Sequence, residues 1–300
     1  MAEQITKLFS KDIQKNLFPV NEFYKQSKLD ANVSAEYGTV QIPQAGATPT
    51  VVKNPSSFPL SVSQRTDDVK EYAVDAFATE PIHIYDVNEA VTNYSKRMDI
   101  IQDHVDALNT RIGDEMAYVW AVSAAANKIF TTGADIAAAA PGATGNRKSL
   151  VREDLAKLAM MFDKDDVKAG ARNMLISADQ YEELLKIDSF INFDYVNRKP
   201  TVDGQIGEIF GMKVFKRSRN TIFNASNVKK AVGAATATTD NLSILAWSNS
   251  HVRRAEGNIK LFSDIDSPMY LGSIFNGLVR AGGTAGRTDE KGVYSLIQGV

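Results

Sequence analysis

Nine apolar residues, Val91, Tyr94, Met98, Ile101, Val105, Leu108, Ile112, Met116 and Val119, recur in alternating steps of three and four. That spacing lays all nine on one stripe of an α-helix and does not fit a strand. Asp86 followed by Glu89 makes a capping pair at the start, and Gly133 suits the position just past the end. A helix from Val87 to Phe130 is 44 residues, about 66 Å long. A compact chain of 300 residues is only roughly 50 Å across. Either the helix is shorter than its pattern, or the protein is flat and finds part of its burial in neighbours. Gly113, which costs about 1 kcal/mol relative to alanine inside a helix, marks a bend or a close contact. The near-heptad stripe also fits a dimeric coiled coil. Against that, Trp120 to Ala126 is apolar on nearly every side, which suits burial inside a domain.

Composition narrows the function. Thirty-four basic and 36 acidic residues leave a net charge of −2, without the basic footprint of a protein that reads nucleic-acid sequence. Contact with nucleic acid without sequence reading stays open. The absence of cysteine excludes disulfides, thiolate metal sites and a cysteine nucleophile. The start, MAEQITKLFSKDIQ, mixes charges throughout and lacks a signal-peptide core. No run approaches the roughly 20 apolar residues of a membrane span. These features predict a soluble protein made in a reducing cytoplasm, with no membrane contact.

Along the chain, Ile5, Leu8, Phe9 and Ile13 fit a short amphipathic helix that Pro19 interrupts, either a first core helix or an arm onto another subunit. GTVQIP (38–43) reads as a strand with Val40 and Ile42 on one face. Phe58, Leu60 and Val62 alternate with polar residues or proline, and Val69 to Ala78 alternates again beyond the polar QRTDD turn, which predicts a long hairpin. PIHIYD (81–86) is a third extended piece. GADIAAAAPGATGNRK (133–148) reads as a linker at a domain boundary. Beyond it come a helix capped near Ser149 with Val151, Leu155, Leu158 and Phe162 inward, a buried strand 173–177 and a helix 178–187. A glycine-punctuated loop from 199 leads into the strand Met212–Phe215, and 231–240 is a flexible connection. The remainder is rich in strands, at 243–247, 258–262 and on to GVYSLIQ. Helices and strands alternate without βαβ regularity, so the fold class is α+β.

No motif carries catalysis. His83, His104 and His251 lack the companions of a zinc helix, and His104, beside Asp103 and Asp106, reads as solvated surface. DKDDVKAG (163–170) opens like a calcium loop but has Lys168 at the glycine position and Met174 at the glutamate position. Gly204, Gly207 and Gly211 precede a strand, whereas a dinucleotide loop follows one. There is no P-loop and no G-x-S-x-G elbow. The expectation is a non-enzyme without catalytic residues, cofactor or metal.

The order of features is amphipathic arm, GTVQIP before a proline-rich loop, RTDDVKEYAVDAFATEPIHIYD leading into NYSKRMDIIQDH, a long helix, and GEIFGMKVFKRSRN (207–220). Over nearly the whole chain this resembles the major capsid protein of tailed bacteriophages, with the Hong Kong 97 type of shell fold. The resemblance implies an N-terminal arm (1–34), an extended loop (35–85), a spine helix in a peripheral domain (86–132), an axial domain (148–242), and return strands with a C-terminal segment (243–300). It implies self-assembly as hexamers and pentamers into an icosahedral virion shell, built in the host cytoplasm around double-stranded DNA. Scaffolding, portal and decoration proteins are the implied partners. Some relatives crosslink a loop lysine to a neighbour's asparagine. Lys53 and Lys70 lie in the matching region with nothing to single out either, so no crosslink is expected. The start near Met1 implies separate scaffolding or an already mature chain. An encapsulin-type nanocompartment shell is the alternative, and an α+β enzyme using 133–148 as a lid is a remote one. Candidate subunit-interface residues are Phe9, Ile13, Phe18, Phe23, Val40, Ile42, Phe58, Leu60 and Val62. If Phe58, Leu60 and Val62 pack across a subunit boundary, removal of 44–68 leaves folded protein that does not assemble.

Overall fold

The computed structural model describes residues 16, 18–30, 38–56, 58–60, 62, 64–85, 96–187 and 205–300. A single 3-10 turn at Glu22–Lys25 precedes β1 (Lys28–Leu29), β2 (Thr39–Gln44), β3 (Asp68–Ala73), β4 (Asp75–Ala78) and β5 (Ile82–Tyr85). The long helix α1 (Lys96–Trp120) follows, then β6 (Lys128–Phe130), β7 (Asp135–Ala137), β8 (Asn146–Lys148) and α2 (Arg152–Lys164). Next come β9 (Arg172–Ile176), α3 (Ala178–Leu185), β10 (Gln205–Ile209), β11 (Met212–Lys216), β12 (Ile222–Phe223) and β13 (Asn241–Ser248). The chain ends with β14 (Val252–Glu256), β15 (Lys260–Ser267), β16 (Gly272–Ala285) and β17 (Val293–Ile297).

Two sheets organise the body. In the first, β16 pairs antiparallel with β14, β15, β4 and β5, and β1 lies parallel to β14. The second runs β10-β11-β9-β13-β17-β6, with β12 on β13. Its central strands β9, β13 and β17 are buried at every position because both faces are covered. Leu175, Phe215, Leu245, Trp247, Val293 and Ile297 face one core, shared with α1. Their neighbours Met174, Ile176, Val214, Ile244, Tyr294 and Leu296 face the other, beneath α2 and α3. Leu108, Ile112 and Met116 are the buried part of the predicted helical stripe, and Trp120 is buried just beyond it. The helices start as their sequences dictate. Ser177 Oγ accepts from Gln180 N at 3.2 Å while Gln180 Oε1 accepts from Ser177 N, a reciprocal capping pair for α3. For α2 the anchor is Asp154, whose carboxylate accepts from Val151 N at 3.2 Å and Thr132 Oγ1 at 2.7 Å, rather than Ser149.

Residues 21–26 tie the two sheets together. Phe23 stands edge-on between Trp120 (6.2 Å between ring centroids) and Trp247 (6.0 Å), and Trp247 Nε1 donates to Gln26 O at 2.7 Å. Arg217, 1% exposed, pairs with Asp114 at 2.7 Å and donates to Asn21 Oδ1 at 3.0 Å and Thr110 O at 3.2 Å. These groups crowd Gly113. A Cβ there would sit 2.4 Å from Asn21 Oδ1 and 3.1 Å from Arg217 Nη2, so the helix glycine marks a close contact.

Several expectations change. The helix stops at Trp120, not Phe130, and its first expected turns, Asp86 to Ser95, lie outside the described residues. Twenty-five residues span about 37 Å, which fits within the body. Two sequence-distant side chains end it. Lys229 Nζ donates to Tyr118 O at 3.2 Å and Ala121 O at 2.6 Å, while Glu290 Oε2 accepts from Ser123 N and Ala124 N, each at 2.9 Å. Residues 128–130 then join the second sheet beside β17. The partner of β3 is β2 rather than 58–62, because Val40 and Ile42 supply the buried face that 58–62 lacks. The expected linker 133–148 folds back as the β7–β8 hairpin. The expected loop before Met212 includes β10, joined to β11 by a Phe210–Gly211 turn with φ of 48° and 72°, as a primed hairpin turn requires. His104 is 3% exposed, on the sheet-facing side of α1 rather than in solvent, and it donates to the Phe275 carbonyl.

Burial pushes His104 below its ordinary value of 6.5, and burial followed by the Arg287 charge does the same to His251. The unfolded chain therefore takes up these protons first as pH falls, so the stability their neutral forms supply is lost below about pH 6.5. Urea midpoints should drop between about pH 7 and about pH 5.5, and by less in His104→Leu; an equal drop in both would contradict the assignment. Gly113→Ala, favoured by helix propensity alone, should destabilise by about 1–3 kcal/mol through overpacking. Adding Asn21→Ala should reduce that loss in a double-mutant cycle.

Candidate assembly surface

The β2–β3 hairpin is seated on the body at its base. Val40, Ile42, Tyr72 and Val74 pack with Ala255 into a small core of their own. Polar contacts flank it: Lys70 Nζ donates to Arg287 O and Gln44 Nε2 to Gly286 O, each at 2.8 Å. Tyr72 OH donates to Asp30 Oδ2 at 2.8 Å, and Arg253 pairs with Asp30 at 2.7 Å. Burial pushes the Lys70 ammonium below its usual range, against the opposing pull of Glu290 and Asp289. At the far end the two arms of the hairpin meet so closely that a Cβ on Gly46 would lie 2.1 Å from Thr66 O.

Beyond that pinch, apolar side chains stand in water. Val51 is 92% exposed, Phe58 76%, Leu60 49% and Val62 98%. This run is apolar surface that the chain's own cores do not cover. Of the predicted interface residues, Phe58, Leu60 and Val62 lie together on this loop, and Phe18 is exposed beside the groove along α1. Phe9 and Ile13 lie outside the described residues. Phe23, Val40 and Ile42 are corrected: they are 2%, 4% and 3% exposed inside the chain's own cores, which leaves no surface for a neighbour. A second exposed set escaped sequence reading: Leu261, Phe262 and Ile265 on β15, with Met269 and Leu271 at the hairpin tip. The only signal was the strand NIKLF, whose alternation does not say which face is dry.

A groove of about 720 Å³ lies between α1 and the 217–222 and 231–240 loops. Two ion pairs lie within it, Asp114 with Arg217 and Lys230 with Asp240, each at 2.7 Å. Among the described residues no cluster of three or more potential metal ligands occurs, and no helix is long and apolar enough to cross a membrane.

A two-core α+β body carrying an exposed apolar loop is the design of a structural building block. The family model for phage capsid proteins matches residues 24–297. The fold is similar to the capsid structure of cyanophage P-SCSP1u (TM-score 0.70, 17% identity, 98% of this chain and 93% of that one). It is also similar to Mycobacterium phage Che8 (0.68, 14%, 99% and 98%) and to the capsid of Ralstonia phage GP4 (0.67, 12%, 99% and 96%). A search of curated proteins finds no match by sequence. The chain belongs to the phage capsid protein family, and it has the Hong Kong 97 type of fold. Its role is structural, as a major capsid protein of the virion shell.

Proposed function

We propose that copies of this chain assemble as hexamers and pentamers into an icosahedral phage head that encloses double-stranded DNA. The observation that supports it most is the loop from Val51 to Val62, apolar and exposed on a chain whose cores are complete without it. Repetition of such a contact over a shell lets modest interfaces hold by multivalency. A net charge of −2 limits repulsion between packed copies and avoids a tight grip on the genome. In this reading 1–34 is the arm, 35–85 the extended loop, α1 the spine helix, 148–242 the axial domain, and the strands after 243 complete the peripheral domain. Assembly takes place in the host cytoplasm, with scaffolding, portal and decoration proteins as partners.

Electron microscopy of the purified protein beside a variant lacking 44–68 tests this. The parent should give closed shells and the variant folded, unassembled protein. Normal shells from the variant would remove the loop from the contact, and small discrete oligomers from the parent would overturn the shell reading. Packaged nucleic acid fits a phage head, whereas a packaged cargo protein would point to a nanocompartment.

A further inference from the structure

β15 is an open edge. Among the described residues it pairs only with β16, and Lys260 to Ile265 are all exposed. Its apolar residues lie on both faces: Leu261 (46% exposed) and Phe262 (51%) are consecutive and so point to opposite sides of the sheet. A strand left in water along one edge and on both faces is a template for another strand, and packing against one face alone would leave either Leu261 or Phe262 wet.

The chain also carries the converse, a strand-like segment without a sheet. Thr50, Val51 and Val52 are β-favouring residues, yet among the described residues 45–56 belongs to no strand. Val51 and Val52 are 92% and 56% exposed, again one for each face of an extended chain. Pairing this run with β15 sets an apolar side chain opposite an apolar side chain on both faces. In its own chain the segment forms no ladder with β15. A second copy supplies the match.

We propose that Thr50–Lys53 of one copy adds as a strand to the open edge of β15 in a second copy. The proposal rests on the self-assembly reading and makes the contact a backbone ladder.

Hydrogen exchange on the full chain, unassembled and in shells, tests it. The amides of 50–53 and 260–265 should exchange at least about tenfold more slowly in shells. Unchanged exchange at 50–53 within intact shells overturns strand addition while leaving the shell reading in place. A parent that forms no shells overturns both, and microscopy reports that separately. The chain has no cysteine, so cysteine pairs identify the occupant without background. Oxidised shells of Val51→Cys with Leu261→Cys, or Val51→Cys with Phe262→Cys, should run as multimer ladders on non-reducing gels. A ladder from Leu261→Cys alone would mean hairpin against hairpin, and a disulfide closed within one chain would mean self-pairing. Either result overturns the proposal.

Discussion

Phe23 between Trp120 and Trp247 is the contact on which the rest of the structure depends. Each aromatic belongs to a different part of the chain: the N-terminal turn, the end of α1, and the middle of the second sheet. Burying a phenylalanine contributes about 1.5–3 kcal/mol, and each edge-to-face pair about 0.5–1.5 kcal/mol beyond that. The wedge is fixed in place by Arg217, whose guanidinium lies 5.7 Å from the Phe23 ring while pairing with Asp114 and holding Asn21. A charge buried this deeply is stable only when every donor has a partner. Thr110 O, Arg219 O, Asn21 and Asp114 provide them from α1, the 217–219 loop and the N-terminal segment.

That clamp explains why the molecule can serve as a rigid tile. With α1 tied to both sheets and the second sheet covered on both faces, the body needs no neighbour to complete its cores. What is left exposed, the loop beyond Gly46 and the β15 hairpin end, is then available for copies of the chain. The two demands sit on different residues. Phe23, Val40 and Ile42 hold the body together, whereas Phe58, Leu60 and Val62 face outward.

Much of this was legible in the sequence, for identifiable reasons. The 3.6-residue stripe located α1, and period and length located β9, β13, β17 and α3, because these elements answer to local pattern. The order of segments pointed to the shell fold. What the sequence hid is what distant residues decide. Glu290 and Lys229 end the helix from more than a hundred residues away, against an apolar run that continues to Ala126. Small-residue composition at 133–148 resembles a linker until β7 and β8 pair. Apolar alternation identified Val40 and Phe58 equally well. Only the partner strand, and Ala255 beneath it, shows that the first is core and the second surface. His104 looked solvated because its two aspartate neighbours lie beside it in sequence, while its own side of the helix meets Phe275.

The most direct test of this clamp and of the exposed loop is a reconstruction of the assembled particle at side-chain resolution. In every copy, at fivefold and sixfold positions alike, Phe23 should sit between Trp120 and Trp247 of the same chain with Arg217 on Asn21. The loop from Val51 to Val62 should meanwhile be buried against other copies. A particle in which Phe23 crosses to a neighbouring chain, or in which that loop stays in solvent, would contradict it.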